Sequence, residues 1–132
     1  RPDMLILKML SCMKKNSFFE LNNSGDHYRD FTYINDVTNI LVKILNKKYF
    51  EHDVYNICSS RPLFIKNVIS QFRSITGYKL IKNIKKNKLD VYKTYGDNNR
   101  IKKLVKINRY IDFKKGLFNT IKWYKNVGYK YF

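Results

Sequence analysis

Apolar positions along the chain switch between a repeat of 3.6 and a repeat of two, and turn residues mark most of the switches. Ile6, Met9, Leu10 and Met13 fall on one face of a predicted helix over 4–14, with Asp3 placed to cap its first turn. Residues 18–22 and 29–34 read as two short strands. Asn23-Ser24-Gly25-Asp26 supplies turn chemistry between them, which predicts a hairpin with Arg29 near its turn end. From Asn35 the helical period returns, with Val37, Ile40, Leu41, Ile44 and Leu45 on one face, Asn35 or Asp36 as cap, and a polar stop at Asn46-Lys47-Lys48.

Val54 to Cys58 reads as a short apolar strand, followed by the loop Ser59-Ser60-Arg61-Pro62. A helix over 64–76 places Ile65, Val68, Ile69 and Phe72 inward and stops at Gly77. Residues 78–84 suit a lysine-protected edge strand, and 85–94 a polar loop. Two helices complete the pattern: one near 98–106 using Ile101, Leu104 and Val105, and one over 112–126 using Phe113, Leu117, Ile121 and Tyr124, ended by Gly128. Strand and crossover helix do not alternate regularly over the whole length. The fold class is therefore mixed α/β, without a complete Rossmann sheet, in a single domain over 1–132.

A hydrophobic fraction of 44%, of which aromatics make 16% of the chain, suffices for a core in 132 residues. No apolar run approaches the roughly 20 residues that span a bilayer, and no signal peptide opens the chain, so the expectation is a cytosolic protein without membrane partners. The net charge of +17 would suit nucleic acid, but the abundance of Lys, Asn, Ile, Tyr and Phe with no alanine also follows from an AT-rich coding sequence. On that reading the lysines form a solvated face.

The chemistry of an independent active site is missing. The five glycines form no Gly-rich turn for a dinucleotide pyrophosphate. Tyr78 with Lys82 and Tyr110 with Lys114 have the spacing of a lysine-activated tyrosine, but 11 tyrosines in a lysine-rich chain produce such pairs by chance. His27 and His52 sit near turns, as solvent-facing or structural histidines do. Cys12, His27, His52 and Cys58 lack zinc-ligand spacing, the two cysteines read as reduced, and Asn22-Asn23-Ser24 reads as a turn rather than a glycosylation site.

Tyr28-Arg29-Asp30-Phe31-Thr32-Tyr33-Ile34-Asn35-Asp36 runs from a strand into a helix. Together with Arg1-Pro2-Asp3-Met4, Asp90-Val91, Thr94-Tyr95-Gly96-Asp97 and the closing Gly116, Trp123 and Tyr124, it resembles the C-terminal, substrate-binding part of the extended short-chain dehydrogenase/reductase family, and most closely the UDP-glucuronate 4-epimerases. The resemblance implies the tail of a longer enzyme whose nucleotide-binding half, holding NAD and the catalytic residues, lies outside this chain. It also implies a UDP-sugar as substrate and a homodimeric parent, with catalytic, cofactor and metal residues absent from this segment.

By the same resemblance, Arg29 contacts the UDP diphosphate, Arg1 lies beside the nucleotide sugar, and Asp90 faces the ribose hydroxyls. A planar guanidinium suits a diphosphate, and a carboxylate accepts both hydrogens of a vicinal diol. From the residues alone, a surface ion pair with Asp30 is the favoured reading of Arg29, and an exposed helix lysine that of Lys8; by the resemblance, Lys8 could instead add positive potential toward a uronate carboxylate. The backbone of 18–21 aligns with the strand that reads the base edge. Two positions depart from the family pattern: Leu89 stands where it has Gly, and Asn87 where relatives carry Arg or Gln. The implied function is to anchor UDP while the missing half oxidises and re-reduces C4. Another nucleotide-sugar dehydratase, decarboxylase or reductase, a non-catalytic remnant and a basic nucleic-acid-binding module are the rival readings. The segment alone is expected to be inactive, with apolar helix faces exposed.

Overall fold

The computed structural model describes residues 3–47, 54–84, 90–107 and 109–131. Helix α1 (Leu5–Lys14) leads into β1 (Phe19–Leu21), and a 3₁₀ turn at Asn22–Gly25 precedes β2 (Tyr28–Asp30). Then follow α2 (Ile34–Leu45), β3 (Pro62–Phe64), α3 (Ile65–Thr76), β4 (Ile81–Asn83), α4 (Asn99–Val105) and α5 (Phe113–Asn126). The mixed α/β class holds, with no complete Rossmann sheet among the described residues.

The predicted hairpin does not form. β1 pairs in parallel with β4, Phe19 opposite Ile81, while β2 pairs antiparallel with β3, Arg29 opposite Leu63. The turn is the reason: Asn23, Ser24 and Gly25 all have positive φ (50°, 50° and 75°), one more left-handed residue than a tight two-residue hairpin turn uses. The chain therefore leaves the plane of β1 instead of folding back beside it. The expected strand over 54–58 is irregular chain as well. Side chains take the place of a ladder there: the Cys58 carbonyl accepts from Asn98 Nδ2 at 2.8 Å, and Ser59 N–H donates to Thr32 Oγ1 at 3.0 Å.

The helices follow the sequence periodicity closely. Met9 and Leu10 of α1, Val68, Ile69 and Phe72 of α3, and Leu117, Ile121 and Tyr124 of α5 meet Phe19 and Leu21 of β1 in the main core. Fully burying side chains of this size stabilises by about 1.5–3 kcal/mol each. A second cluster joins Ile40 of α2 to Ile101 and Val105 of α4 and to Tyr110, with Tyr55 and Ile57 packed against it. The α2 face is narrower than predicted, because Ile40 is buried while Leu41 and Leu45 are exposed.

Helix caps are corrected in detail. Met4 and Tyr33, not Asp3, Asn35 or Asp36, occupy the N-cap positions of α1 and α2. Asp36 is buried and accepts from the Ile111 N–H at 3.0 Å, tying α2 to the segment before α5. Asp112 does cap α5, accepting from Lys114 N–H at 2.9 Å, and Gly77 ends α3 in the left-handed region at φ 72°.

Candidate functional site

Arg29 is the middle residue of β2, and its place in the fold is set from both sides of that strand. On one side β2 pairs with β3. On the other, Tyr28 N–H donates to the Tyr92 carbonyl at 2.8 Å and Thr94 N–H to the Tyr28 carbonyl at 3.2 Å, so residues 92–94 run parallel to β2. That register carries Asp90 to the Arg29 side chain. Nη2 of Arg29 pairs with the Asp90 carboxylate, and Nη1 donates to the carbonyls of Val91 (2.6 Å) and Tyr28 (2.7 Å). Asn23 Nδ2 approaches the other carboxylate oxygen at 3.5 Å.

The two side chains are 24% and 22% exposed, so solvent screens the pair less than a fully exposed one. Among the described residues three of the five guanidinium N–H groups are engaged, which leaves Nε–H and one Nη2–H along one edge of the fork for an anion.

Arg29, Asp90 and Lys8 line one groove of about 530 Å³, between α1, β1, β2 and the chain at Asp90. Its wall includes Asp3, Phe19, Leu21, His27 and Ile65. Two of the three site residues expected from the sequence are thus in direct contact. Arg1 lies outside the described residues, as do Asn87 and Leu89.

Arg29 does not pair with Asp30, because successive strand residues point to opposite faces. The Asp30 carboxylate instead accepts from Ser59 Oγ, from Ser60 N–H (3.1 Å), from Arg61 N–H (3.4 Å) and from Gly96 N–H (3.3 Å). It fastens the loop after Cys58 to the segment around Gly96, and this organising role escaped the sequence reading. The signal available was an unmatched acid inside an apolar strand, with a Ser-Ser pair downstream.

Gly96 is part of the same joint. Its carbonyl accepts from Ser60 Oγ at 2.5 Å, and a Cβ at this position would lie 2.9 Å from the Cys58 Cβ and closer still to its sulfur. Gly96→Ala is expected to cost about 1–3 kcal/mol of stability, read as a lower urea midpoint, with Cys58→Ala restoring part of the loss by removing the sulfur.

Other groups with reactive side chains are occupied structurally. Tyr78 is buried with its hydroxyl donating to the Ser17 carbonyl at 2.6 Å, and burial pushes its phenol up. Tyr110 is buried beside Asn98, and burial raises its phenol too. Neither is poised as a base. Cys12 and Cys58 are both free thiols. Among the described residues no cluster of His, Cys, Asp or Glu could hold a metal, and no helix is long and apolar enough to cross a membrane.

Residues 1–58 match the NAD dependent epimerase/dehydratase family. In these residues and in its fold the chain resembles the C-terminal part of proteins in that family. The chain is 28% identical over 127 residues to a UDP-glucuronate 4-epimerase of Thermodesulfobacterium geofontis, covering 95% of this chain and 39% of that protein.

Among solved structures, the UDP-glucuronic acid 4-epimerase of Bacillus cereus in complex with UDP-glucuronic acid and NAD superposes with a TM-score of 0.79 at 25% identity, over 92% of this chain and 40% of that one. MoeE5 in complex with UDP-glucuronic acid and NAD shares the fold with a TM-score of 0.84 at 23% identity, over 95% of this chain and 42% of that one. The chain thus spans about two-fifths of the length of these relatives.

NAD in those structures raises the question of a dinucleotide site here. A pyrophosphate cradle needs glycine where a strand turns into a helix. β2 enters α2 through Phe31-Thr32-Tyr33 and β3 runs directly into α3, and neither junction holds a glycine. Among the described residues, neither strand-to-helix junction fits the dinucleotide.

Proposed function

We propose that residues 1–132 form one substrate-binding unit of an NAD-dependent UDP-sugar epimerase, acting on UDP-glucuronate. The observation that supports this reading is the Arg29–Asp90 pair within a single groove that also carries Lys8. The free edge of the Arg29 fork takes the diphosphate in a charge-assisted, bidentate contact. Asp90 accepts from the ribose hydroxyls, and Arg1 stands beside the sugar. Lys8, exposed at the α1 side of the groove, offers positive potential to the uronate carboxylate.

These groups grip the nucleotide and leave the pyranose free to turn, which is what inversion at C4 through a ketone requires. Proton and hydride transfer belong to a region outside this chain. The complete enzyme is proposed to be a homodimer.

A titration separates the readings. UDP-glucuronate is expected to bind the intact gene product, and UDP to keep most of that affinity, because its diphosphate and ribose carry the anchoring contacts. Generic RNA that bound more tightly than UDP, with a steep salt dependence, would instead assign the surplus charge to nucleic acid. Incubation with NAD and UDP-glucuronate should yield the C4 epimer. A dehydrated or decarboxylated sugar would move the enzyme to a neighbouring reaction of the same family.

A further inference from the structure

His27 is a polar side chain of the groove that this reading leaves unused. His27 is 7% exposed, lines the groove, and has an Nδ1 that is buried with no hydrogen-bond partner. Its carbonyl holds the start of α3 by accepting from Ile65 N–H at 3.0 Å, so the backbone is fixed and the ring stays at the groove wall. His27 lies at the bend just before β2, two positions from Arg29, and both line the groove.

The surroundings make the charge of this ring depend on what fills the groove. Burial disfavours the imidazolium most, the Arg29 guanidinium next, while Asp90 and Asp26 favour it, and the balance leaves the imidazole below its usual range. From other elements, Asp3 and Lys8 at α1 and Glu20 of β1 also line the groove, and α3 turns its Lys66 ammonium over the Phe64 ring, 5.5 Å from the centroid. A diphosphate seated on Arg29 would offset the guanidinium charge and add negative charge beside the ring.

We propose that His27 is a ligand-binding residue of the groove, which takes up a proton as a diphosphate seats beside Arg29 and so favours anionic nucleotide sugars over neutral ligands. The inference rests on the UDP-sugar reading above and adds to it a residue and a proton.

Calorimetry of the intact gene product with UDP-glucuronate, in buffers of unlike ionisation enthalpy, tests it. The diphosphate and uronate of this probe stay fully ionised between about pH 6 and pH 8, so a linked proton belongs to the protein. Net proton uptake is expected, with binding about fivefold tighter near pH 6 than near pH 8. Both effects should be lost in His27→Gln, which keeps a polar side chain but cannot be charged.

Should that variant fail to fold, the His27 imidazole resonance of the wild-type protein decides, since ligand should move it toward the charged form. Binding without proton exchange, uptake that persists in His27→Gln, or an unmoved resonance would overturn the role of His27 and leave the groove assignment standing. No binding at either pH would overturn the groove assignment and this proposal with it.

Discussion

Arg29→Ala should weaken UDP-glucuronate binding by about 10- to 150-fold. A charge-assisted hydrogen bond to phosphate is worth about 1.5–3 kcal/mol, and each 1.4 kcal/mol is tenfold in Kd. The truncation also strands Asp90, whose carboxylate would keep, among the described residues, the long contact from Asn23. Arg29→Lys should recover the charge but not the two-pronged geometry, and so fall between the two. Titration calorimetry at fixed ionic strength reads all three. An Arg29→Ala protein that binds within about twofold of wild type would remove the diphosphate from this groove.

Asp30→Ala should cost about 3 kcal/mol or more of folding free energy. Its carboxylate holds four donors, and two good hydrogen bonds to a charged group at about 1.5 kcal/mol each already reach that figure. Such a loss is a large part of the stability of a typical domain. Asp30→Asn keeps the size but turns an amide N–H₂ toward donors, so little recovery is expected. Urea unfolding gives the magnitude. A loss below about 0.5 kcal/mol would show that water serves the joint as well as the carboxylate does.

The helices were legible in the sequence because their signal is local. Met9 and Leu10, Val68 and Phe72, and Leu117, Ile121 and Tyr124 repeat at helical spacing and are all buried. The strands were not legible. Each is three residues long, too short for a period of two to register, and its partner lies far away in sequence. Neighbouring strand-like segments therefore suggested a hairpin, and only the three left-handed residues of the turn show why it is absent.

The meeting of Arg29 and Asp90 was suggested by the family resemblance rather than by physical pattern. Nothing in their spacing announces that residues 92–94 run beside β2. Asp30 was missed for the opposite reason, since beside Arg29 it resembled half of a surface ion pair, and its true partners are backbone N–H groups that no sequence pattern displays. His27 looked like a turn histidine because burial, like pairing, is decided by segments distant in the chain.

The Arg29–Asp90 contact joins residues 61 positions apart. At translation rates of about 5–20 residues per second, a nascent chain carries its guanidinium without that counter-ion for roughly 3 to 12 seconds. The strand that pairs with β1 likewise follows it only after α2 and α3. The groove is consequently completed only once the chain through Asp90 has emerged, and until then the guanidinium of β2 stands without its carboxylate.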